Sequence, residues 1–78
     1  MSISNVEQSI RDSLETYFKD LGDNKPSDIY HTVIDCVERA MFETVMHYAN
    51  NNQVLAADYL KISRSTLRNK LRKYGLID

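Results

Sequence analysis

The stretch QVLAADYLKISRSTLRNKLRKYGL, residues 53–76, decides the fold. From Gln53 to Leu60 it carries Val54, Ala56, Ala57, Tyr59 and Leu60 with no turn-forming residue, the composition of a short helix. Lys61-Ile62-Ser63 then reads as a tight turn. Ser63 has the short oxygen that accepts a free amide at a helix start, and Ile62 and Leu67 have the spacing of a hydrophobic staple. Leu67, Leu71 and Tyr74 recur at steps of three and four, so one face of the next helix is apolar. Gly75 stands where a left-handed closing residue is wanted, and Leu76 can reach back to Leu71 as in a Schellman ending.

Upstream, Asn50-Asn51-Asn52 suits the end of one helix and the start of another, because asparagine both tolerates a left-handed backbone and caps helix starts. Before it lies a long helix, expected from about Ser27 to Asn50. It holds Ile29, Tyr30, Val33, Ile34, Cys36, Val37, Ala40, Met41, Phe42, Val45, Met46, Tyr48 and Ala49, which wrap most of its circumference. A helix apolar on several sides must be covered on several sides. The natural cover is a second copy of the chain, with Tyr30, Ile34, Val37, Met41 and Val45 at the interface. A monomer whose own C-terminal helices cover both sides is the alternative. A first helix is expected from about Asn5 to Leu21, with Val6, Ile10, Leu14, Tyr17, Phe18 and Leu21 as its stripe and Ser4 with Glu7 as a capping box. Gly22 to Pro26 is the loop between the two. The fold class is therefore all-α: two long core helices in an antiparallel or intertwined dimeric four-helix bundle, followed by a helix-turn-helix. Residues 1–78 make one domain, with dimerisation helices at about 5–50 and the helix-turn-helix at about 53–75.

Seventy-eight residues cannot hold a multi-lobed enzyme. A core of this size supplies only about 3–5 kcal/mol, so a staple is expected. Cys36 is the one cysteine, which excludes an internal disulfide and a multi-cysteine zinc site and leaves oligomerisation in a reducing, cytoplasmic setting. The thiol is expected to be a small buried hydrophobe. No apolar run approaches the roughly 18 residues of a membrane span, and no signal peptide opens the chain. The net charge of −1 hides an asymmetry. Residues 1–50 hold four Lys/Arg against nine Asp/Glu, whereas residues 51–78 hold six against two. A basic end on an acidic body fits a polyanion met at that end only.

Two short helices joined by a tight turn, the second one basic, match the plan that places a helix in the major groove of DNA. At about 100° per residue, Ser65, Arg68, Asn69, Arg72 and Lys73 lie opposite the apolar stripe, with Arg64 at the exposed start. Arg64 can offer paired donors to a guanine edge, Thr66 and Asn69 can meet base edges, and the other cations suit phosphates. Free amides at the helix starts would add phosphate sites. The stretch from Val45 to Leu76 closely resembles the Fis (factor for inversion stimulation) family of bacterial proteins, and it also looks like the DNA-binding end of bacterial enhancer-binding activators. The signals are Asn52-Gln53, Ala56-Ala57, Arg64-Ser65-Thr66-Leu67-Arg68 and Lys70-Leu71-Arg72-Lys73-Tyr74-Gly75, with Ile10 to Leu14 and Tyr17-Phe18 upstream.

That resemblance implies an obligate homodimer with intertwined long helices that binds loosely specified sites in double-stranded DNA and bends them. It would act in the cytoplasm, on the nucleoid, with the transcription machinery as a further partner. Residue by residue, Arg64 and Thr66 match base-edge positions, and Asn52, Arg68, Lys70, Arg72 and Lys73 match positions at the backbone. Ser63, Asn69, Asn50 and Val54 depart from the family's asparagine, lysine, arginine and threonine, which alters site preference and flanking contacts. Lys61 takes a glycine-like turn position, and Ala40 replaces a kinking proline, implying a straighter helix. The candidate DNA-binding set is thus Asn52, Ser63, Arg64, Thr66, Arg68, Asn69, Lys70, Arg72 and Lys73.

Other chemistry is sparse. No phosphate loop, nucleophile elbow or paired buried carboxylates occur, so no enzyme and no cofactor are expected. His31 with Asp35, and His47 alone, fall short of the three or four ligands of a specific metal site. Tyr48 and Tyr59 are expected in the core rather than stacked on bases. Met1 to Ser9 is too short for the two-stranded arm with which the resembled factor touches a recombinase, and the chain reads as a complete small protein rather than a detached activator domain. The competing function is a protein-interaction or dimerisation module docking through its acidic bundle.

Overall fold

The computed structural model describes residues 3–78, with side chains from Asn5 onward. Four helices follow one another, α1 (Ile3–Leu21), α2 (Ile29–Tyr48), α3 (Gln53–Leu60) and α4 (Arg64–Lys73), and no strand occurs among the described residues. The fold is all-α, with α3 and α4 at the places the sequence sets for them.

The helix ends are built as the local sequence dictates. Asn50 and Asn51 take positive φ, and the Asn51 amide reaches the Met46 carbonyl at 2.9 Å while the Asn50 amide reaches His47 at 3.1 Å, closing α2 in a Schellman pair. Asn52 then caps α3, its side chain accepting from the Leu55 amide at 3.2 Å. α3 closes the same way on Lys61, with φ 58°, and the Ile62 amide bonds the Ala57 carbonyl at 3.1 Å. Ser63 caps α4, accepting from the Thr66 amide at 3.1 Å. Gly75, at φ 69°, ends α4 through Leu76 to Leu71 at 2.8 Å and Gly75 to Arg72 at 3.1 Å.

α2 is opened by Asp28, the neighbour of Ser27, whose side chain makes no cap; its Oδ1 instead sits 2.7 Å from His31 Nδ1. Ser4 of the expected capping box lies outside the described side chains, and the Glu7 carboxylate accepts from Arg11 at 3.2 Å. α2 runs unbroken through Ala40.

The core sits at one end. Phe42, Met46, Ala49, Ala56, Ala57, Leu67, Leu71 and Tyr74 are its buried members, with Val45, Leu55, Leu60, Ile62, Leu76 and Ile77 packed against them. Among the described residues none before Phe42 is buried. α1 folds back on the start of α2, where Leu14 and Tyr17 share an apolar cleft with Ile29 and Val33, yet Phe18 remains 48% exposed and Tyr30 71%. The chain is elongated, 46 × 28 × 17 Å, with a radius of gyration of 15.1 Å against the roughly 11.5 Å of a compact domain this long. Its 6138 Å² of surface is roughly a quarter more than a compact protein of its mass exposes.

Three burial expectations are corrected. Cys36 is exposed, because none of the described residues covers its face of α2. Tyr48 and Tyr59 stand 72% and 55% exposed, because α3 turns Ala56 and Ala57, not Tyr59, toward α2 and the last turn of α2 presents Met46 and Ala49 to the core. The chain's own C-terminal helices cover one side of α2, from Asp35 onward.

The left-handed turn positions give opposite expectations for two substitutions. A side chain at such a backbone costs about 1 kcal/mol. Lys61→Gly should stabilise the fold by up to about 1 kcal/mol and Gly75→Ala should destabilise it by about 1 kcal/mol. Denaturant midpoints at one fixed protein concentration check both signs.

Candidate nucleic-acid interface

α4 is seated by Leu67 and Leu71, both fully buried, and by Tyr74 at 5% exposure. With those three turned inward, Arg64, Ser65, Thr66, Arg68, Asn69 and Arg72 are all exposed. Among the described residues no carboxylate pairs with Arg64, Arg68 or Arg72; Arg68 Nε reaches only Gln53 Oε1, at 3.5 Å. The start of α4 is tied down by side-chain oxygens. Ser63 Oγ accepts from the Thr66 amide and donates to Thr66 Oγ1 at 2.8 Å, and Ser65 Oγ lies 3.3 Å away. The Arg64 and Ser65 amides head the helix with no intrahelical acceptor, as geometry requires of the first turn. Asn52 is exposed at the head of α3, where its side-chain oxygen already serves Leu55.

Lys70 and Lys73 sit differently from the other candidates. Lys70 is half-buried, its Nζ 3.0 Å from Glu38 Oε1, and Lys73 Nζ lies 3.3 Å from Asp35 Oδ1. The Tyr74 hydroxyl joins both carboxylates, donating to Glu38 at 2.6 Å with Asp35 at 3.2 Å. The opposite end of this cluster is Arg39, whose Nη1 donates to the Tyr74 carbonyl at 3.0 Å while its guanidinium lies 5.6 Å from the ring centre. A cation on that carbonyl satisfies one of the acceptors left open at the end of α4 and complements the helix dipole. Lys73 Nζ lies 5.3 Å from the same ring, and Phe42 stacks against it at 6.3 Å.

The cluster sets its own charges. Hydrogen bonds from Tyr74 and Lys70 hold the Glu38 carboxyl below its ordinary range, against a smaller opposing effect of partial burial. For Asp35 burial works upward, but the bonds from Lys73 and Tyr74 together outweigh it and its pKa also falls. Burial, then the two carboxylates, push the Tyr74 phenol upward. Depressed carboxylates stabilise the fold above their unfolded pKa and lose that contribution as pH falls through the folded one; a raised phenol stabilises below its ordinary 10.0. The cluster is therefore complete at neutral pH.

Sequence reasoning placed Tyr74 in the core and missed Asp35, Glu38 and Arg39. Two signals pointed to them: a buried tyrosine needs a partner for its hydroxyl, and the three-residue step from Asp35 to Glu38 matches that from Lys70 to Lys73. The interface candidates Ile34, Val37 and Val45 are half-buried, and Tyr30 and Met41 exposed. His31 Nδ1 lies 2.7 Å from Asp28 Oδ1, and the described residues hold no group of three or more side chains that could bind a metal.

Residues 34–74, more than half of the chain, match the family described as "Bacterial regulatory protein, Fis family". A Fis-like DNA-binding protein of Ralstonia nicotianae is 53% identical over 77 residues, which cover 99% of this chain and 100% of that one. Another, from Neisseria meningitidis, is 38% identical over 76 residues, 97% and 96% of the two chains. The DNA-binding protein Fis of Actinobacillus succinogenes is 39% identical over 71 residues, 91% of this chain and 72% of its own. The matched stretch is the one that runs from the middle of α2 through the capped turn to the end of α4, and the chain belongs to the Fis family of bacterial regulatory proteins.

Proposed function

We propose that the chain is a homodimeric, sequence-tolerant DNA-binding and DNA-bending regulator of transcription and nucleoid structure that lays α4 in the major groove. The carrying observation is the outer face of α4, where Arg64, Arg68 and Arg72 stand exposed with no carboxylate partner among the described residues. On a helix held at both ends, they form a rigid cationic edge. The names of the relatives, DNA-binding proteins all, support the same reading.

Arg64, at the free end of α4, is assigned to a base edge, with Thr66 and Asn69 as further contacts there; Ser63 orients Thr66 through its hydroxyl. Asn52, Arg68, Lys70, Arg72 and Lys73 are assigned to phosphates. Contacts at the far end of α4, at Arg72 and Lys73, draw flanking DNA toward the protein, and that pull is the source of bending. No cofactor enters this chemistry.

Dimerisation rests on what the single chain leaves uncovered. Ile34 and Val37 are half-buried and Tyr30 and Met41 exposed, the four fall at helical spacing on a different face of α2 from Asp35, Phe42 and Met46, and the excess surface is of the size that a dimer hides. Two copies of α1 and α2 would close a four-helix bundle with one helix-turn-helix at each end.

Arg64→Ala should cost about 1–3 kcal/mol on a preferred site and much less on a scrambled duplex, whereas Arg72→Ala should weaken both alike and flatten the salt slope by about 0.9 per protomer. Salt titrations on two duplexes of equal length separate these roles, and binding that ignores salt would favour a protein-docking module instead. Val37→Asp should bury an unpaired charge, cost several kcal/mol and abolish the dimer. Sedimentation equilibrium checks it, and a one-chain mass at micromolar concentration with undiminished DNA binding overturns the bundle.

A further inference from the structure

Asp35 and Glu38 are not equivalent in their hold on α4. Glu38 is the more covered, with a side chain 22% exposed against 34% for Lys70, and it takes the short 2.6 Å bond from the buried Tyr74 hydroxyl. Replacing that carboxylate would strand a buried hydroxyl as well as a lysine, so Glu38 belongs to the seat of the helix. Asp35 and Lys73 lie at the water's edge, with side chains 46% and 50% exposed and 3.3 Å apart. A pair in that position is held weakly and can be exchanged for another anion. Lys73 is one turn beyond Asn69 and adjacent to Arg72, on the helix that carries the unpaired arginines.

We infer that Asp35 is an internal counterion that competes with DNA phosphate for Lys73 and thereby limits sequence-independent affinity. The inference rests on the DNA-binding reading above and names Asp35 as a positioning residue acting through Lys73. A lysine already neutralised by the protein holds no loosely bound anion to give up and must leave its carboxylate before it meets a phosphate. Exposed arginines on the same helix carry no such charge partner. The effect is general: it lowers the phosphate contribution, which is the same for every sequence, and leaves the base-edge contribution of Arg64 untouched, so preferred and scrambled duplexes lose affinity alike.

Asp35→Asn tests this with little structural cost, since the amide keeps an oxygen to accept from Tyr74 and loses only the charge. Glu43→Gln is the matched control. It removes one exposed carboxylate from the same helix, and no cation pairs with Glu43 among the described residues. Affinity for a scrambled duplex is measured by anisotropy across a salt series for the wild type, Asp35→Asn, Glu43→Gln, Lys73→Ala and the double variant Asp35→Asn with Lys73→Ala. Asp35→Asn is expected to tighten binding about two- to five-fold per protomer at low salt, and to do so alike on a preferred site and on the scrambled one. Its salt slope should steepen by up to about 0.9 per protomer. Lys73→Ala should erase both gains. The inference is overturned if Asp35→Asn behaves like Glu43→Gln, or if its gain survives the loss of Lys73, while the wild type binds duplex with a steep salt slope. A wild type with no salt-dependent duplex binding overturns the DNA-binding reading and this inference with it.

Discussion

Everything α4 can do depends on Phe42, Met46 and Ala49, the apolar floor that the second half of α2 offers to the two short helices. Leu67 and Leu71 lose all contact with water against it, and their burial is the main force that holds a strongly polar ten-residue helix in one orientation. Without that floor α4 would be too short to persist, since isolated helices of this length are marginal in water. The floor also explains why the polar cluster exists. Tyr74 closes the core, and its hydroxyl reaches out of the apolar layer only as far as Asp35 and Glu38 one side of α2 away. Packing therefore brings the acidic edge of α2 and the basic edge of α4 together.

The C-terminal half was legible because its punctuation is local. Asn52, Ser63 and Gly75 act through atoms within a few residues of themselves, and each does in the structure what its neighbours in sequence allow. Lys61 is the informative case. A residue with a side chain holds a left-handed backbone there, where the Ile62 amide bonds the Ala57 carbonyl and Leu60 and Ile62 on either side pack against the core. The N-terminal half was less legible. Periodicity finds apolar stripes, but it does not say whose surface covers them. Cys36, Tyr48 and Tyr59 all sit at helical spacing with core residues, and all three face outward in the single chain.

The contrast between the two halves is itself informative about assembly. A chain whose buried residues all lie between Phe42 and Tyr74 has a finished end and an unfinished one. The finished end presents charge beside Tyr48, Val54 and Tyr59, and the unfinished end presents Val6, Phe18, Tyr30 and Met41. Apolar surface of that extent is rare on a free monomer and usual where a partner helix belongs. In the proposed dimer the acidic residues on α1 and the start of α2 would keep that end from the polyanion that the other end suits, so that joining a second copy and meeting DNA would not compete.

The distribution of lysine and arginine follows the same division. In the last third of the chain every lysine has a carboxylate partner, Lys61 with Asp58, Lys70 with Glu38 and Lys73 with Asp35, while Arg64, Arg68 and Arg72 have none among the described residues. Lysine is a compact point charge on a flexible stem and is satisfied by a single carboxylate, so it suits fastening a helix to its neighbour. Arginine offers a planar fork of donors, is less tightly hydrated, and reads paired acceptors on a base edge or a phosphate. The excess positive charge of residues 51–78 is therefore smaller in effect than the formal count, and what remains uncompensated is concentrated on the residue type and the helix face best suited to recognition. Exchanging the two types would keep the net charge and invert that arrangement, leaving the fork geometry spent on internal pairs and point charges at the outer face.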